Sequence, residues 1–89
     1  MKAIVSVLGT DKKGIIAKVA GALWEMDINV EDISQTIMQD YFTMIMLVNV
    51  ADSKLKFVEI SDRLSALGAE IGVEIRIQSE EIFKTMHRI

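Results

Sequence analysis

The sequence predicts an α+β domain whose elements run in the order strand, helix, strand, strand, helix, strand. Three observations predict it. Short runs rich in β-branched residues alternate with segments of helical period. The strand–helix–strand pattern recurs at an offset of roughly 40 residues, the size of one such supersecondary unit. Finally, 51% of the 89 residues are apolar, enough for one small core, and the length suits a single domain over 1–89.

The first strand is read over Ala3–Leu8, an apolar run too short for a helix. Residues Gly9–Gly14 form a loop by composition. From Ile15 to Met26 the period becomes helical, with Ile16, Val19, Ala20 and Leu23 on one stripe. Asp11 is placed to cap that helix, since a carboxylate accepts orphan backbone N–H groups. Asp27-Ile28-Asn29 ends the helix, and Asn29 tolerates a left-handed or turn conformation. Trp24 sits beside the core stripe and is expected to pack against it.

The second strand is read over Val30–Met38. Glu31, Asp32, Ser34, Gln35 and Thr36 make it polar, as suits a sheet edge. Glu31 and Asp32 are sequence neighbours and should point to opposite faces. Gln39-Asp40 has hairpin length without the favoured glycine. The third strand, Tyr41–Val50, sets Phe42, Met44, Met46 and Val48 on one face and Ile45 and Leu47 on the other. An apolar pattern on both faces predicts a central strand with its outer side also covered.

Asp52 or Ser53 is expected to cap the second helix, whose buried stripe is Phe57, Ile60, Leu64 and Leu67. Gly68 is expected just past its end. The fourth strand, Val73–Gln78, alternates, with Val73, Ile75 and Ile77 inward. Ser79 caps a short C-terminal helix with Glu80 and Glu81 in its first turn. That helix carries Ile82, Phe83, Met86 and Ile89 and must dock on this chain or another. Two interleaved right-handed crossovers then give a four-stranded antiparallel sheet of order 4-1-3-2 with both main helices on one face, the ferredoxin-like arrangement.

Composition excludes several functions. The chain has no cysteine, hence no disulfide, thiolate metal site or thiol nucleophile. One histidine, His87, provides neither a metal cluster nor a base near any serine. No catalytic residue, metal ligand or cofactor is expected, and the chain is read as a non-enzyme. A net charge of −3 argues against a phosphate-binding face for nucleic acid. An RNA-recognition sheet would carry exposed aromatics centred on the first and third strands, and the first has none. Met44–Val48 is too short to span a bilayer, and no signal peptide is visible, so a cytoplasmic protein is expected.

The most informative segment is the first loop. Gly9 and Gly14 have the glycine spacing of a phosphate-binding loop, but Ile15 and Ile16 replace its lysine and hydroxyl residue. Nucleotide hydrolysis is therefore not expected. Two readings remain open. The loop presents helix N–H groups to an anion or carboxylate, or its glycines serve a tight turn and close packing.

Val7-Leu8-Gly9-Thr10-Asp11-Lys12-Lys13-Gly14-Ile15-Ile16, followed by a helix and then Asp27-Ile28-Asn29-Val30, resembles the ACT domain family. The resemblance covers essentially the whole chain and extends to free-standing ACT proteins with an extra C-terminal helix. It implies a regulatory, allosteric module that pairs through its first helix and second strand and binds an amino acid at the seam. The residues it assigns to ligand binding are Asp11, Lys13, Gly14, Ile15, Asn29 and Val30. Loop N–H groups and the Asn29 amide would hold the ligand carboxylate, and Asp11 its ammonium. Asp27 stands where the family usually has glycine, and Lys13 where proline is frequent. The implied partners are the small molecule, a second copy and a separate regulated protein. The competing expectation is an interaction module without a small ligand, using Met38, Met44, Met46 and the outer face of the third strand. Against it, that outer face could be a homodimer interface or lie beneath the C-terminal helix.

Overall fold

The computed structural model describes residues 1–10 and 13–82. Its elements are β1 (Lys2–Thr10), α1 (Ile15–Glu25), β2 (Asn29–Met38), β3 (Tyr41–Asn49), α2 (Phe57–Ile71) and β4 (Glu74–Ser79). A further helical turn begins at Glu80. The rest of the expected C-terminal helix, with Phe83, Met86, His87 and Ile89, lies outside the described residues. The sheet order is β2-β3-β1-β4, and every pair is antiparallel. This is the ferredoxin-like βαββαβ fold that the sequence predicts.

The core lies between one face of the sheet and the two helices. Ala3, Val5 and Val7 of β1, Phe42, Met44, Met46 and Val48 of β3, and Ile75 and Ile77 of β4 meet Val19 and Leu23 of α1 and Ile60 and Leu64 of α2. The strict alternation of β1, β3 and β4 places these residues on one face. Met44 and Met46 are fully buried here and cannot belong to a partner surface. The outer face is only partly shielded: Tyr41 and Ile45 are exposed and Leu47 half-buried.

Several local expectations are corrected. In α1 the buried stripe is Ile15, Val19, Leu23 and then Met26, while Ile16 is 41% exposed and Ala20 half-buried. The helix starts one residue earlier in phase than the Ile16 stripe assumes. Trp24, expected to pack, is 79% exposed, because it lies off that stripe. Asp27, not Asn29, takes the left-handed conformation after α1, with φ 57°. Asn29 is already the first residue of β2.

Helix α2 begins later and ends later than its sequence signals suggest. Its N-cap is Lys56 rather than Asp52 or Ser53. The Ser53 hydroxyl instead accepts the Leu55 N–H at 3.3 Å, shaping the preceding turn. A lysine side chain has no acceptor, so only the return half of a capping box forms, with the Lys56 N–H donating to Glu59 Oε1 at 2.9 Å. The C-cap is Gly72, left-handed at φ 79°, while Gly68 is an internal helical residue. The N–H groups of Gly72 and Val73 both donate to the Gly68 carbonyl, at 2.8 and 2.9 Å.

β2 carries a bulge that no local signal in its residues predicts. Val30 pairs with Val48 and Asp32 with Leu47, so Glu31 is the extra residue. Glu31 and Asp32 therefore do not alternate as consecutive strand residues do.

Candidate functional site

The β1–α1 connection leaves the sheet at Thr10. Asp11, which the sequence assigned both as cap and as ligand contact, lies outside the described residues. The N-cap is Gly14, at φ 82° and ψ 3°, a conformation that costs glycine nothing and other residues about 1–2 kcal/mol. Its carbonyl accepts the Lys18 N–H at 2.9 Å, the first bond of the helix. Gly14 has no side chain to cap α1, and no acidic residue stands in the first turn. The positive end of the helix dipole is thus offset by neither feature.

A cleft of about 300 Å³ opens beside this end of α1, lined by Lys13, Ile15, Lys18, Glu70 and Ile71. Lys13 and Lys18 are exposed, Ile15 is buried, and Glu70 stands exposed near the C-terminal end of α2. Two ammonium groups and a helix N-terminus can receive a carboxylate, and a single carboxylate can receive an ammonium. Lys18 could have been found from the sequence, four residues after Gly14 on the same helix. Glu70 and Ile71 could not, because only tertiary packing brings the end of α2 to the start of α1.

Asn29 and Val30 stand at the other end of α1. Asn29 is exposed and pairs with Asn49. With Trp24, Asp27, Ile28 and Asp52 it lines a separate groove of about 230 Å³. Val30 pairs with the inward Val48 and packs against the core. Among the described residues, the assigned Lys13, Gly14 and Ile15 therefore do not converge with Asn29 and Val30 within one chain. An 11-residue α1 separates the two sets by about 16 Å along its axis. The sheet shows the same separation. One end of it carries the row Met38, Tyr41, Thr10, and the other the row Asn29, Asn49, Lys2.

A charged cluster marks this second row. Lys2 Nζ lies 2.9 Å from Glu31 Oε1, and the Asn49 amide donates to Glu31 Oε2 at 3.5 Å. The hydrogen bond from Lys2, outweighing the opposing cost of desolvation, holds the Glu31 carboxyl below its ordinary range. The same bond and the charge of Glu31 raise Lys2. Among the described residues, no group of three or more His, Asp or Glu side chains is placed to hold a metal ion. No helix among them is long and apolar enough to cross a membrane.

The family model for the ACT domain matches residues 2–78. A UPF0237 protein of Clostridium acetobutylicum is 53% identical over 89 residues, covering all of both chains. An ACT domain protein from Streptococcus pneumoniae superimposes with a TM-score of 0.83 at 44% identity, over 94% of each chain. The regulatory subunit of aspartate kinase from Thermus thermophilus superimposes with a TM-score of 0.67 at 30% identity, over 86% of this chain and 50% of that one.

Proposed function

Because this chain belongs to the ACT domain family, we propose that it is a regulatory protein that senses an amino acid, with each binding site built from two copies. One observation carries this reading. Lys13, Gly14 and Ile15 stand at one end of α1 and Asn29 at the other, while β2 between them is an open edge strand. Antiparallel pairing of two β2 edges about a two-fold axis carries Asn29 of one copy toward the Met38 end of the other. Met38 pairs with Tyr41, and Tyr41 with Thr10, the residue before the loop. The ten residues of β2 span about 30 Å, a gap that a second copy paired along β2 would close.

The sequence of β2 and α1 supports such pairing. Ile33 and Ile37, in register with the inward Met46 and Phe42, remain 44% and 57% exposed beside α1. Ala17, Gly21 and Trp24 follow one another at helical spacing, and a Cβ at Gly21 would meet nothing within 4 Å. A glycine inside a helix costs about 0.5–1 kcal/mol relative to alanine. A second helix approaching α1 at Gly21 gives that cost a purpose. The likeness to the regulatory subunit of aspartate kinase supports a regulatory output.

A mixing experiment tests the shared site. Amino acids are first screened for a selective rise in thermal midpoint, which native-state binding must produce. Asp11→Ala and Asn29→Ala should each abolish the rise. Remixing the two variants should then restore about a quarter of the sites, because a two-fold heterodimer rebuilds one site of its two. A site contained within one chain gives no restoration.

A second reading is favoured by one observation. Leu8, Tyr41 and Ile45 form an exposed apolar strip on the outer face. Absence of any midpoint rise at millimolar amino acid would move the assignment to a protein-interaction module using that strip.

A further inference from the structure

Among the described residues the sheet ends in two edge strands, β2 and β4. The pairing proposed above engages β2 and leaves β4 open. Charge on an edge strand discourages pairing where like charges meet. On its solvent face β4 carries two charges of opposite sign, Glu74 and Arg76, two residues apart. They pair with each other, Arg76 Nη2 lying 2.6 Å from Glu74 Oε1, and both stay exposed.

We propose that β4 is a second interface between copies of this chain, formed by antiparallel pairing of two β4 edges about a two-fold axis at Ile75. An axis normal to the sheet keeps the helices of both copies on one side, so inward residues meet inward ones. Charge then chooses among the registers. An axis at Glu74 sets two Glu74 side chains opposite each other, and an axis at Arg76 sets two Arg76 side chains opposite each other. Like charges directly opposite are destabilising. An axis at Ile75 sets each Glu74 against the second copy's Arg76, and this contact occurs twice. On the inner face the same axis sets Ile75 against Ile75 and Val73 against Ile77, all four positions being apolar and already facing the core.

The helix beside this edge is built to match. A groove of about 330 Å³ runs along it, lined by Ser65 and Ala69 of α2 and by Val73, Glu74, Ile75 and Arg76. Ser65 and Ala69 belong to a stripe of helical spacing, Val58, Ser61, Ser65 and Ala69, in which no residue is charged. Val58 on that stripe is 60% exposed. Short uncharged side chains let a second α2 approach as the two sheets join. β4 offers six residues against the ten of β2, so this pairing is the weaker of the two and fills at higher concentration. The inference stands on β4 and α2 and does not require the β2 pairing.

Sedimentation velocity from micromolar to millimolar protein tests it. A mass-doubling step that depends on Glu74 and Arg76 is expected. Arg76→Glu and Glu74→Arg each set like charges opposite each other, and each should raise the concentration of that step at least about tenfold. Each also breaks the ion pair within its own chain, so equimolar mixing separates the two effects. In a mixed pair opposite charges meet at both contacts, although neither chain regains its own ion pair. Mixing should therefore restore the step near its native concentration. Absence of any doubling step up to millimolar protein overturns the proposal. So does a step that responds to neither substitution, or one that mixing fails to restore. A β2 pairing responds to Gly21→Arg and not to these substitutions, so the two interfaces fail independently. Circular dichroism checks that the variants fold. If either does not, Ser65→Arg, at an exposed position of the groove, replaces it, and a step unchanged in that variant overturns the proposal.

Discussion

A methyl group placed on Gly68 would stand 2.5 Å from the carbonyl oxygen of Val73 and 3.3 Å from the backbone nitrogen of Ile75. This contact sets the distance between α2 and β4. The obstacle is backbone, which cannot rotate aside as a side chain does. Gly68→Ala should therefore destabilise by about 1–3 kcal/mol, although alanine is the better helix former. Urea denaturation measures it, and an unchanged midpoint would show that α2 can lift from β4 without cost.

Ile15 and Ile16 are neighbours of identical composition on opposite sides of the burial boundary, at 3% and 41% exposure. Ile15→Ala should cost about 2–5 kcal/mol, as a buried truncation does. Ile16→Ala should cost much less in the dilute monomer, under about 1 kcal/mol. Similar losses at both positions would contradict the helix phase described above.

The proposed pairing of two copies can be tested at Gly21. Gly21→Ala should stabilise an isolated chain by about 0.5–1 kcal/mol through helix propensity. Gly21→Arg should shift the protein to monomer in sedimentation velocity by blocking approach of a second α1. A dimer that persists in Gly21→Arg would move the interface away from α1.

The Lys2–Glu31 pair, bridging β1 and β2 across β3, predicts a pH response of definite sign. The folded state lowers Glu31, so its contribution to stability is present above the ordinary glutamate range and is lost as pH falls through the lowered value. The folded state raises Lys2, whose contribution is present below the ordinary lysine range and is lost as pH rises through the raised value. Both groups are solvent-accessible, so the effect is small and weakens with salt. Glu31→Gln should remove the acid-side part of the dependence. Thermal midpoints between pH 3 and 7 at two salt concentrations check it.

The sequence alone determined the order of elements, the central position of β3 and the inward faces of β3 and β4, while the inward face of β1, an unbroken apolar run, was set by its pairing. Period-2 alternation in Phe42, Met44, Met46 and Val48 leaves one arrangement that buries them all. The family also was legible, because the loop around Gly14 and the Asn29 turn are local signals. Three things were decided only by tertiary structure. The phase of α1 depends on where the helix starts, and Ile15-Ile16 offers two apolar choices that only docking on the sheet resolves. The role of Gly68 depends on Val73 and Ile75, whose approach no helix-end signal encodes. The bulge at Glu31 depends on pairing with β3, since β2 by itself fixes no register. The candidate site followed the same division. Its residues were named by the family resemblance, but the placement of Gly14 and Asn29 at opposite ends of α1 is a property of the fold. A helix has two ends, and a sequence motif that spans it cannot bring them together within one chain.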